Sequence, residues 1–578
     1  MFPKYSETPL YAAFFCALLA ACTTKEQDRA ASDPACPART TAVAGVQGDG
    51  YASPLAGRRV TIQGVVTLIA HGDGFYVEEP GSDMDARTSD AIFVQYGKLA
   101  GSIKPGALVS VTGTVAETGE GRDTLTALTA ADEPVLCSDG HGLPATDVIL
   151  PLGGSGRESL EGMRIRINDT LTVTDVYQFD QGKFTLSANG FQYVPTEVVM
   201  PGPAAAELLV KNRASDLPVL IPASMGIPDL MVSGASIGQV TGVFAHDGRG
   251  KRLTLQSFAA AAVTNVPSLV PAPAGSLRVV GMNLHNYFNG DGRGQGFPTP
   301  RGAETLDEFQ QQRARIGAAI GVLDPHVIAV MELENDGFGA DSAAQDFIQL
   351  ASHATQQNWA VTRPVNDNTG GDRITVGIFY RTDQLQAIGP AEILTGAEFE
   401  RSRQPQAQLL QRLPDGERLL VVINHLKSKG SCPDSGEDAD QNDGQGCWNA
   451  MRRVSAEKMA TWVKDIAAAK GTDNILILGD MNAYRNEDPI RAIRAAGFTE
   501  LIETGGQREY SFVFAGQRGT LDYAFASAAL REKVPQAVIW HVNAAYPTNM
   551  ELPQPWLGFS DHDPVVVELR LRQSSASD

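Results

Sequence analysis

Six apolar runs in the second half of the chain each adjoin a side chain that can take part in acid–base or metal chemistry. The runs 277–282, 327–331 and 419–423 end at Asn283, at Glu332, and at Asn424 with His425. The run 475–478 leads to Asp480 and Asn482, the segment 519–521 leads to Asp522, and Asp561 with His562 precedes the run 565–567. If these strands share a sheet, their ends can converge on one edge and there hold a divalent cation and a phosphate.

The segment 474–484 shows the pattern most clearly. Four apolar residues, 475–478, are too few for a buried helix and suit a strand that is covered on both faces. The strand stops at Gly479, and Asp480 and Asn482 follow at a spacing of two, which predicts that both side chains lie on the same side of an extended segment. Taken alone, the segment is an ordinary strand-to-turn junction, because Gly, Asp and Asn are common turn residues.

The elements that must position these side chains form an α/β domain at residues 276–572. Strand-like runs alternate there with helical stretches at 306–323 and 451–469, and the tail 573–578 is expected to be disordered. A proline-rich linker, 265–275, precedes the domain. Isolated histidines such as His326, His353 and His541 are predicted to be surface or packed residues.

Two β-rich modules are predicted upstream, at residues 36–140 and 141–264. Both contain short alternating runs separated by Gly and Asp, which indicates small all-β barrels or sandwiches. Neither contains a cluster of catalytic residue types, so we expect function to lie downstream.

The amino terminus predicts export. The apolar stretch 10–21 is too short to span a bilayer and is typical of a signal peptide covering residues 1–21. Leu19-Ala20-Ala21-Cys22 resembles the bacterial lipobox, which implies a lipid on Cys22, a tether at 22–35 and an outer-membrane or cell-surface location. The alternative is an ordinary secretory signal with an incidental Cys22, giving a periplasmic or extracellular protein.

The other cysteines are consistent with export. Proximity in sequence favours disulfides Cys36–Cys137 and Cys432–Cys447, although three connectivities are formally available. A zinc site is the competing interpretation, but none of these cysteines has C-x-x-C spacing.

The overall charge argues against bulk electrostatic capture of nucleic acid. The net charge is −20 and the isoelectric point is near 4.9, whereas phosphate backbones are bound by Lys and Arg. A polyanionic substrate must therefore be met locally. Lys427, Lys429, Arg452 and Arg453 are candidates for a basic rim, and solvated surface charges are the alternative.

The ordered set of motifs resembles the endonuclease/exonuclease/phosphatase superfamily, which includes deoxyribonuclease I. The matching elements are M-N-L at 282–284, V-I-A-V-M-E ending at Glu332, N-H-L-K-S-K around His425, G-D-M-N at 479–482, L-D-Y around Asp522 and S-D-H at 560–562. Further segments, N-H-L-K-S-K-G-S-C and D-G-Q-G-C-W-N, look like extracellular endonucleases of the ExeM/NucH type. The upstream β modules resemble the OB-fold modules of such nucleases. The resemblance implies a four-layered α/β/β/α sandwich preceded by two all-β, OB-fold-like modules.

The same resemblance implies roles for individual residues. Metal ligands would be Asn283, Glu332 and Asp561; catalytic residues would be His425, Asp480, Asn482, Asp522 and His562; substrate contacts would be Arg403 and Lys427; and Asp372 would support His425. The implied cofactor is Mg²⁺ or Mn²⁺, since oxygen ligands suit hard cations. The loop 438–444 also has the oxygen spacing of a Ca²⁺ loop, but it lacks the closing Glu of an EF-hand.

The predicted function is therefore an exported, metal-dependent endonuclease acting on DNA, with RNA as a second substrate, and with little sequence specificity. One alternative is a phosphodiesterase or phosphatase acting on phospholipids or inositol phosphates. Another is an inactive surface binding protein. No obligate protein partner is predicted, and membrane attachment is expected only through Cys22.

Overall fold

The structure is a computed structural model of the chain. It describes residues 36, 39–70, 74–98, 101, 103–119, 124–130, 132–142, 145–152, 156–248, 250–259, 268–269, 271–413, 415–502, 508–548 and 550–571. The predicted signal peptide, Cys22, the tether and the tail lie outside the described residues. Within the described part, no helix is long and apolar enough to cross a membrane.

The first module is a small β barrel. A short helix, Val43–Gln47 (α1), precedes six strands: Arg59–Ala70 (β1), Gly74–Glu78 (β2), Ala91–Gln95 (β3), Leu108–Thr118 (β4), Leu125–Ala130 (β5) and Val135–Ser138 (β6). The strand order is β1-β2-β3-β5-β4-β6, and β1 also pairs with β4, which closes five strands into a barrel. The buried core of this barrel is built from the inward residues of the predicted alternating runs.

The second module is an eight-stranded sheet with an inserted helical segment. Its strands are Thr146–Asp147 (β7), Arg164–Ile167 (β8), Leu171–Asp175 (β9), Lys183–Ser187 (β10), Gln192–Tyr193 (β11), Asp216–Leu220 (β12), Ser236–Ile237 (β13), Val240–His246 (β14) and Lys251–Phe258 (β15). All of these except β11 form one sheet. Helices Pro195–Val198 (α2) and Pro203–Ser215 (α3) follow β11, so the prediction of a purely β module is wrong at this point. Proline at the start of each helix is pre-organised for the first turn.

The carboxyl-terminal domain contains the remaining elements. Its strands are Leu277–Tyr287 (β16), Val327–Glu334 (β17), Trp359–Val361 (β18), Ile374–Arg381 (β19), Leu385–Ala387 (β20), Glu392–Ile393 (β21), Gln406–Arg412 (β22), Arg418–His425 (β23), Ile475–Asp480 (β24), Thr499–Glu500 (β25), Phe512–Phe514 (β26), Gln517–Gly519 (β27), Asp522–Ala526 (β28), Gln536–Ile539 (β29) and Val565–Leu569 (β30). Its helices are Leu306–Leu323 (α4), Ala343–Thr355 (α5), Asn449–Lys470 (α6), Asp488–Ala495 (α7) and Ala528–Arg531 (α8).

Two sheets pack face to face in this domain, and helices cover their outer faces. One sheet has the order β18-β19-β17-β16-β30-β29, and the other has the order β20-β22-β23-β24-β28-β25. Alternate residues of each strand enter different cores: Val279 lies between the sheets, whereas Val280 packs towards α4 and α5. In the same way, Leu420 of β23 packs towards α6. The layers are therefore α/β/β/α, and near-continuous apolar strands follow from burial on both faces.

The second module is docked on the carboxyl-terminal domain. Strand β11 pairs in parallel with β27, which extends the β26–β27 hairpin into a three-stranded sheet. Glu197 of α2 is fully buried and bonds Arg485 at 3.0 Å, and it also accepts a hydrogen bond of 3.1 Å from the backbone N–H of Thr520. The Glu197 side chain belongs to the second module, and the groups that compensate its buried charge belong to the carboxyl-terminal domain.

Candidate active site

The six predicted strand ends lie in two sheets. Strands β16, β17 and β30 belong to one sheet, and β23, β24 and β28 belong to the facing sheet. The six runs therefore do not share one sheet, in agreement with the two β layers of the implied α/β/β/α sandwich. The side chains still meet, because the two sheets are stacked and their corresponding ends open on the same side; the charges of Glu332 and His562, from one sheet, both act on His425 of the other.

Asn283, on β16, and Glu332, on β17, lie where the regular pairing of these two parallel strands ends. The pairing of β17 with β19 shifts register between Val330 and Leu333, and Glu332 has a φ of 62°. A bulge of this kind re-aims one side chain. The Nδ2 of Asn283 donates to Oε1 of Glu332 at 3.2 Å, and the backbone N–H of Asn286 donates to Oε2 at 2.9 Å. The Glu332 carboxylate is thereby fixed in one orientation at the sheet edge.

His425 and Asp480 lie opposite each other at the ends of β23 and β24. They are register partners in this parallel pair, and Nε2 of His425 lies 3.3 Å from Oδ2 of Asp480. Gly479 has a φ of 144°, and a Cβ there would lie 2.1 Å from the carbonyl oxygen of Asn424. Only glycine fits between these strands.

Asn482 contacts Asp480 through a turn. Its φ is 46°, and its backbone N–H donates to Oδ1 of Asp480 at 2.8 Å, so the prediction of an extended segment here is wrong. The Nδ2 of Asn482 donates to Oδ2 of Asp480 at 3.2 Å and to the carbonyl oxygen of Leu426 at 3.1 Å. The segment is therefore a local Asx-type turn, as the ordinary interpretation of its residues predicts. This turn holds the Asn482 side chain against the Asp480 carboxylate.

His562 is paired with Asp522. The Nδ1 of His562 lies 2.7 Å from Oδ2 of Asp522, and both residues are buried. The backbone N–H of Asp522 donates to Oγ of Ser511 at 2.9 Å, and the Phe512 ring packs on the imidazole with centroids 4.5 Å apart. Because Nδ1 is taken by Asp522, Nε2 is the nitrogen that is left to face a substrate.

The two histidines are held in different protonation states. Burial lowers the pKa of His425 well below its ordinary value, and the Arg403 charge lowers it further. Burial would also lower the pKa of His562, but the Asp522 carboxylate, with Asp561 and Asp480, raises it well above the ordinary value. The site therefore contains a neutral imidazole and an imidazolium side by side near neutral pH.

The carboxylates of the site are also held differently. Burial raises the pKa of Asp480 and of Asp522. The pKa of Asp561 is lowered, because the charges of His285 and His562 outweigh the effect of its burial. Carboxyl groups whose environments separate their pKa values can take different roles in acid–base chemistry.

Arg403 and Asp372 form a group beside His425. Asp372 lies 3.9 Å from Arg403 and 3.5 Å from Arg301, whereas the imidazole of His425 faces Asp480. The prediction that Asp372 is the direct partner of His425 is therefore wrong, because two arginines occupy its carboxylate. Arg403 is buried and donates to the carbonyl oxygen of Leu426 at 2.8 Å.

The predicted basic rim is reduced to one residue. Lys429 is half-buried and is paired with Glu487, with Nζ 2.7 Å from Oε2. Arg452 is fully buried and bonds backbone carbonyls. Arg453 pairs with Glu457 on the surface of α6. Lys427 remains half-buried at the rim, 5.1 Å above the Trp448 ring. Burial, with the nearby Arg403 charge, lowers the pKa of Lys427 to about 8.

Both predicted disulfides are present. Cys36 is bonded to Cys137 beside the first barrel, and Cys432 is bonded to Cys447. The second bond closes the loop that contains the candidate Ca²⁺ oxygens. There, Asp438 and Asp443 already accept hydrogen bonds from the backbone N–H groups of Met451 and Gln445, so Ca²⁺ binding stays a prediction.

The donor set at Glu332 fits a hard divalent cation. Among the described residues, no three His, Cys, Asp or Glu side chains form a ready cage for a metal. Mg²⁺ needs no such cage, since it keeps several waters and takes one or two carboxylates. Asn283, Glu332 and Asp561 offer only oxygen ligands at the site edge, and the nearby Asn286 N–H orients the Glu332 carboxylate.

Sequence reasoning missed several residues that shape this site. His285 acts on Asp561, Arg301 pairs with Asp372, and Ser511 and Phe512 support Asp522 and His562. His285 could have been found from its spacing of two from Asn283. Ser511 and Phe512 carry no comparable signal, because they lie at the start of the short β26–β27 hairpin and do not follow a buried apolar run.

A second polar cluster, His541 with Asp563 and Glu509, lies behind the site and serves stability. The two imidazole nitrogens lie 3.0 Å from Asp563 and 2.9 Å from Glu509, and the ring stacks on Tyr510. Burial would lower the pKa of His541, but the two carboxylates raise it to about 9. The prediction that His541 is a surface or packed residue agrees with this geometry.

The raised pKa predicts a pH dependence of stability. Protonated His541 stabilises the fold fully below its unfolded pKa of about 6.5, and this contribution is lost as pH rises through about 9. We expect the free energy of unfolding of His541→Asn to lie about 2 kcal/mol below wild type at pH 6 and to approach it at pH 9.5, after discounting for solvent screening. Urea unfolding at both pH values measures this. The exposed His353→Asn variant serves as control, and a difference that does not change with pH contradicts the assignment.

These features define a layered α/β domain with an acid–base and oxygen-ligand site at its strand ends. The model of the Endonuclease/Exonuclease/phosphatase family matches residues 288–562. Over these residues, just under half of the chain, the sequence is similar to that family. Among curated proteins, none matches the sequence.

Solved structures similar to the chain align with about half of it. The human Nocturnin catalytic domain with bound sulfate is 14% identical, covers 52% of this chain and 96% of its own, and has a TM-score of 0.34. A mannosyl-6-phosphatase of Bacteroides thetaiotaomicron is 17% identical, with 51% and 100% covered and a TM-score of 0.33. D. rerio TDP2 complexed with single-strand DNA product is 14% identical, with 51% and 99% covered and a TM-score of 0.32.

Proposed function

We propose that the protein is an exported, divalent-metal-dependent endonuclease of the ExeM/NucH type that hydrolyses DNA, and RNA as a second substrate, with little sequence specificity. The observation that carries the proposal is the pairing of a charged His562–Asp522 unit with a buried Asp480–His425 unit, both at the edge that bears Glu332. A proton donor, a proton acceptor and an oxygen-ligand site are the parts that phosphodiester hydrolysis requires.

The attacking water is activated at Asp480. Its carboxylate is buried and its pKa is raised, so it can accept a proton from water near neutral pH. The Nε2 of His425 lies 3.3 Å from Oδ2 of Asp480, and Asn482 donates to both carboxylate oxygens. These contacts make His425 and Asn482 positioning residues for Asp480. Asn482 can release one bond to hold a phosphate oxygen.

The leaving oxygen is protonated at His562. Its Nδ1 is held by Asp522, so the Nε2–H points to the substrate. As the bond from water to phosphorus forms and the bond to the sugar oxygen breaks, that oxygen takes the Nε2 proton. A cation bound by Glu332, with Asn283 and Asp561, would polarise a phosphate oxygen and offset the charge that develops there. Arg403 and Lys427 would contact neighbouring phosphates.

Export and anchoring are part of the proposal. Two disulfides are expected in an oxidising compartment. A lipid on Cys22 would hold the protein at the outer membrane or cell surface, and the first barrel, which we propose to be an OB-fold, would act as a spacer.

A 5′-phosphorylated DNA oligonucleotide, incubated with the full chain, tests the proposed activity. We expect shorter oligonucleotides in the presence of Mg²⁺, no reaction in EDTA, and recovery when Mg²⁺ or Mn²⁺ is added back. Release of inorganic phosphate from an otherwise intact oligonucleotide would instead show a phosphatase. An RNA oligonucleotide of the same sequence measures the preference for the sugar.

A further inference from the structure

Two aromatic side chains are exposed beside the active site. Tyr177 of the second module is 61% exposed, and Phe514 of the carboxyl-terminal domain is 64% exposed. Large aromatic side chains are normally covered, because each can bury a large apolar area. None of the catalytic steps described above uses either ring.

Phe514 is aligned with the catalytic histidine through strand β26. Residues two apart on a strand project from the same face and lie about 7 Å apart. Phe512 packs on the imidazole of His562 with ring centroids 4.5 Å apart, so Phe514 projects from the active-site face of the hairpin, one step nearer its tip. The hairpin register, Phe512 with Gly519 and Phe514 with Gln517, fixes this direction.

The loop that carries Tyr177 is hydrogen-bonded to the tip of the same hairpin through Asp175. The Asp175 carboxylate accepts the backbone N–H of Tyr177 at 2.9 Å and also that of Gly516, the turn residue of the hairpin. A Cβ at Gly516, where φ is 76°, would lie 2.9 Å from Oγ1 of Thr174. The loop after β9 and the hairpin tip are therefore in close contact.

Tyr177 also lies close to the metal-ligand side of the site. Its burial, followed by the charge of Asp561, raises the pKa of its hydroxyl. Phe512, two residues before Phe514, packs on His562, and the Asp561 charge acts on the Tyr177 hydroxyl, so both rings border the active site.

We propose that Tyr177 and Phe514 form a ring clamp, contributed by two domains, that stacks a nucleobase of the nucleotide next to the scissile phosphate. The inference rests on the proposed function, since it assigns part of the substrate to these rings. Base stacking on aromatic side chains is tolerant of sequence and needs no positive surface. The chain has a net charge of −20, and Lys427 is the lysine that remains of the predicted basic rim. Stacking on the two rings would let such a chain bind a polyanionic substrate.

The clamp makes the second module part of the substrate site. Its loop at residues 175–181 supplies a contact that the carboxyl-terminal domain lacks, and the docking at Glu197 and β11 fixes the loop in place. The second module then contributes directly to substrate binding.

Binding of a fluorescein-labelled thymidine 8-mer to the full chain in EDTA, measured by fluorescence anisotropy, tests the clamp. We expect Tyr177→Ala and Phe514→Ala each to raise the Kd about tenfold and Tyr177→Phe to leave it within twofold. The control is Val210→Ala, at a 70% exposed position on α3. A matching 8-mer of abasic sites should bind wild type and the double variant equally weakly.

Equal Kd values for the thymidine 8-mer in wild type and the Tyr177→Ala/Phe514→Ala double variant would overturn the clamp. Equal binding of the thymidine and abasic 8-mers by wild type, or no binding of either, would do so as well. Cleavage of the thymidine 8-mer with Mg²⁺ tests the proposed function separately from the binding measurement. If wild type with Mg²⁺ leaves the thymidine 8-mer intact but binds it through Tyr177 and Phe514, the clamp stands and the nuclease assignment falls.

Discussion

Replacement of His562 by alanine is expected to lower the rate of phosphodiester cleavage by about 10³-fold, within the range that a positioned acid or base contributes. The reason is the arrangement around the imidazole: Asp522 holds Nδ1 and keeps the ring charged, so Nε2 carries the proton that the leaving oxygen needs. Single-turnover cleavage of a labelled oligonucleotide at saturating protein measures this step apart from binding.

Two further variants make the result specific. Asp522→Asn keeps the shape of the side chain but removes the charge that stabilises the imidazolium, and we expect a smaller loss, about 10²-fold. His353→Ala, at an exposed position on α5, should cleave as wild type does. If His562→Ala, shown by its unfolding curve to be folded, retains more than a tenth of the activity, the assignment of His562 as proton donor is wrong.

Replacement of Glu197 by alanine is expected to cost about 3 kcal/mol of stability. Breaking a buried ion pair leaves its partner without full compensation. Arg485 would lose the Glu197 contact of 3.0 Å and keep Glu500 at 2.6 Å, while the Thr520 N–H would lose its acceptor. Urea unfolding followed by tryptophan fluorescence measures the change.

The matched control is Glu207→Ala, at an exposed position on the neighbouring helix α3, and we expect it to change stability by less than about 0.5 kcal/mol.

The contact between Glu197 and Arg485 also predicts that the isolated fragment 276–572 is less stable than the full chain, because the fragment lacks Glu197 and β11. Equal midpoints for Glu197→Ala and Glu207→Ala would show that the domain contact contributes little.

The strand ends could be predicted from sequence because their signals are local. A buried parallel strand is a short apolar run, and the polar residue at its end is visible in the same stretch, as at 475–482. The order of such residues was sufficient to name Asn283, Glu332, His425, Asp480, Asp522 and His562, which the structure places in three pairs.

The pairing of these residues could not be predicted, because it depends on contacts between distant segments. Nothing local shows that Asp372 is held by Arg301 and Arg403, or which of the two sheets each of the six runs joins. The positive φ values of Glu332 and Asn482 are also imposed by tertiary structure, since they cost strain that only the surrounding fold can offset.

The docking of the second module was missed for the same reason. Strand β11 has two residues, and its partner β27 follows more than 300 residues later. A buried charge such as Glu197 looks like a solvated surface residue in the sequence, because Glu is rarely buried unless it is paired.

Covalently closed circular plasmid DNA tests the central claim most directly, because a closed circle has no end on which an exonuclease or a phosphatase can act. Incubated with the full chain and Mg²⁺, the plasmid should be converted first to nicked and then to linear molecules, and neither EDTA-treated wild type nor His562→Ala should convert it at a comparable rate. A plasmid that stays closed under these conditions, while the same preparation releases phosphate from a small phosphate ester, would contradict the account.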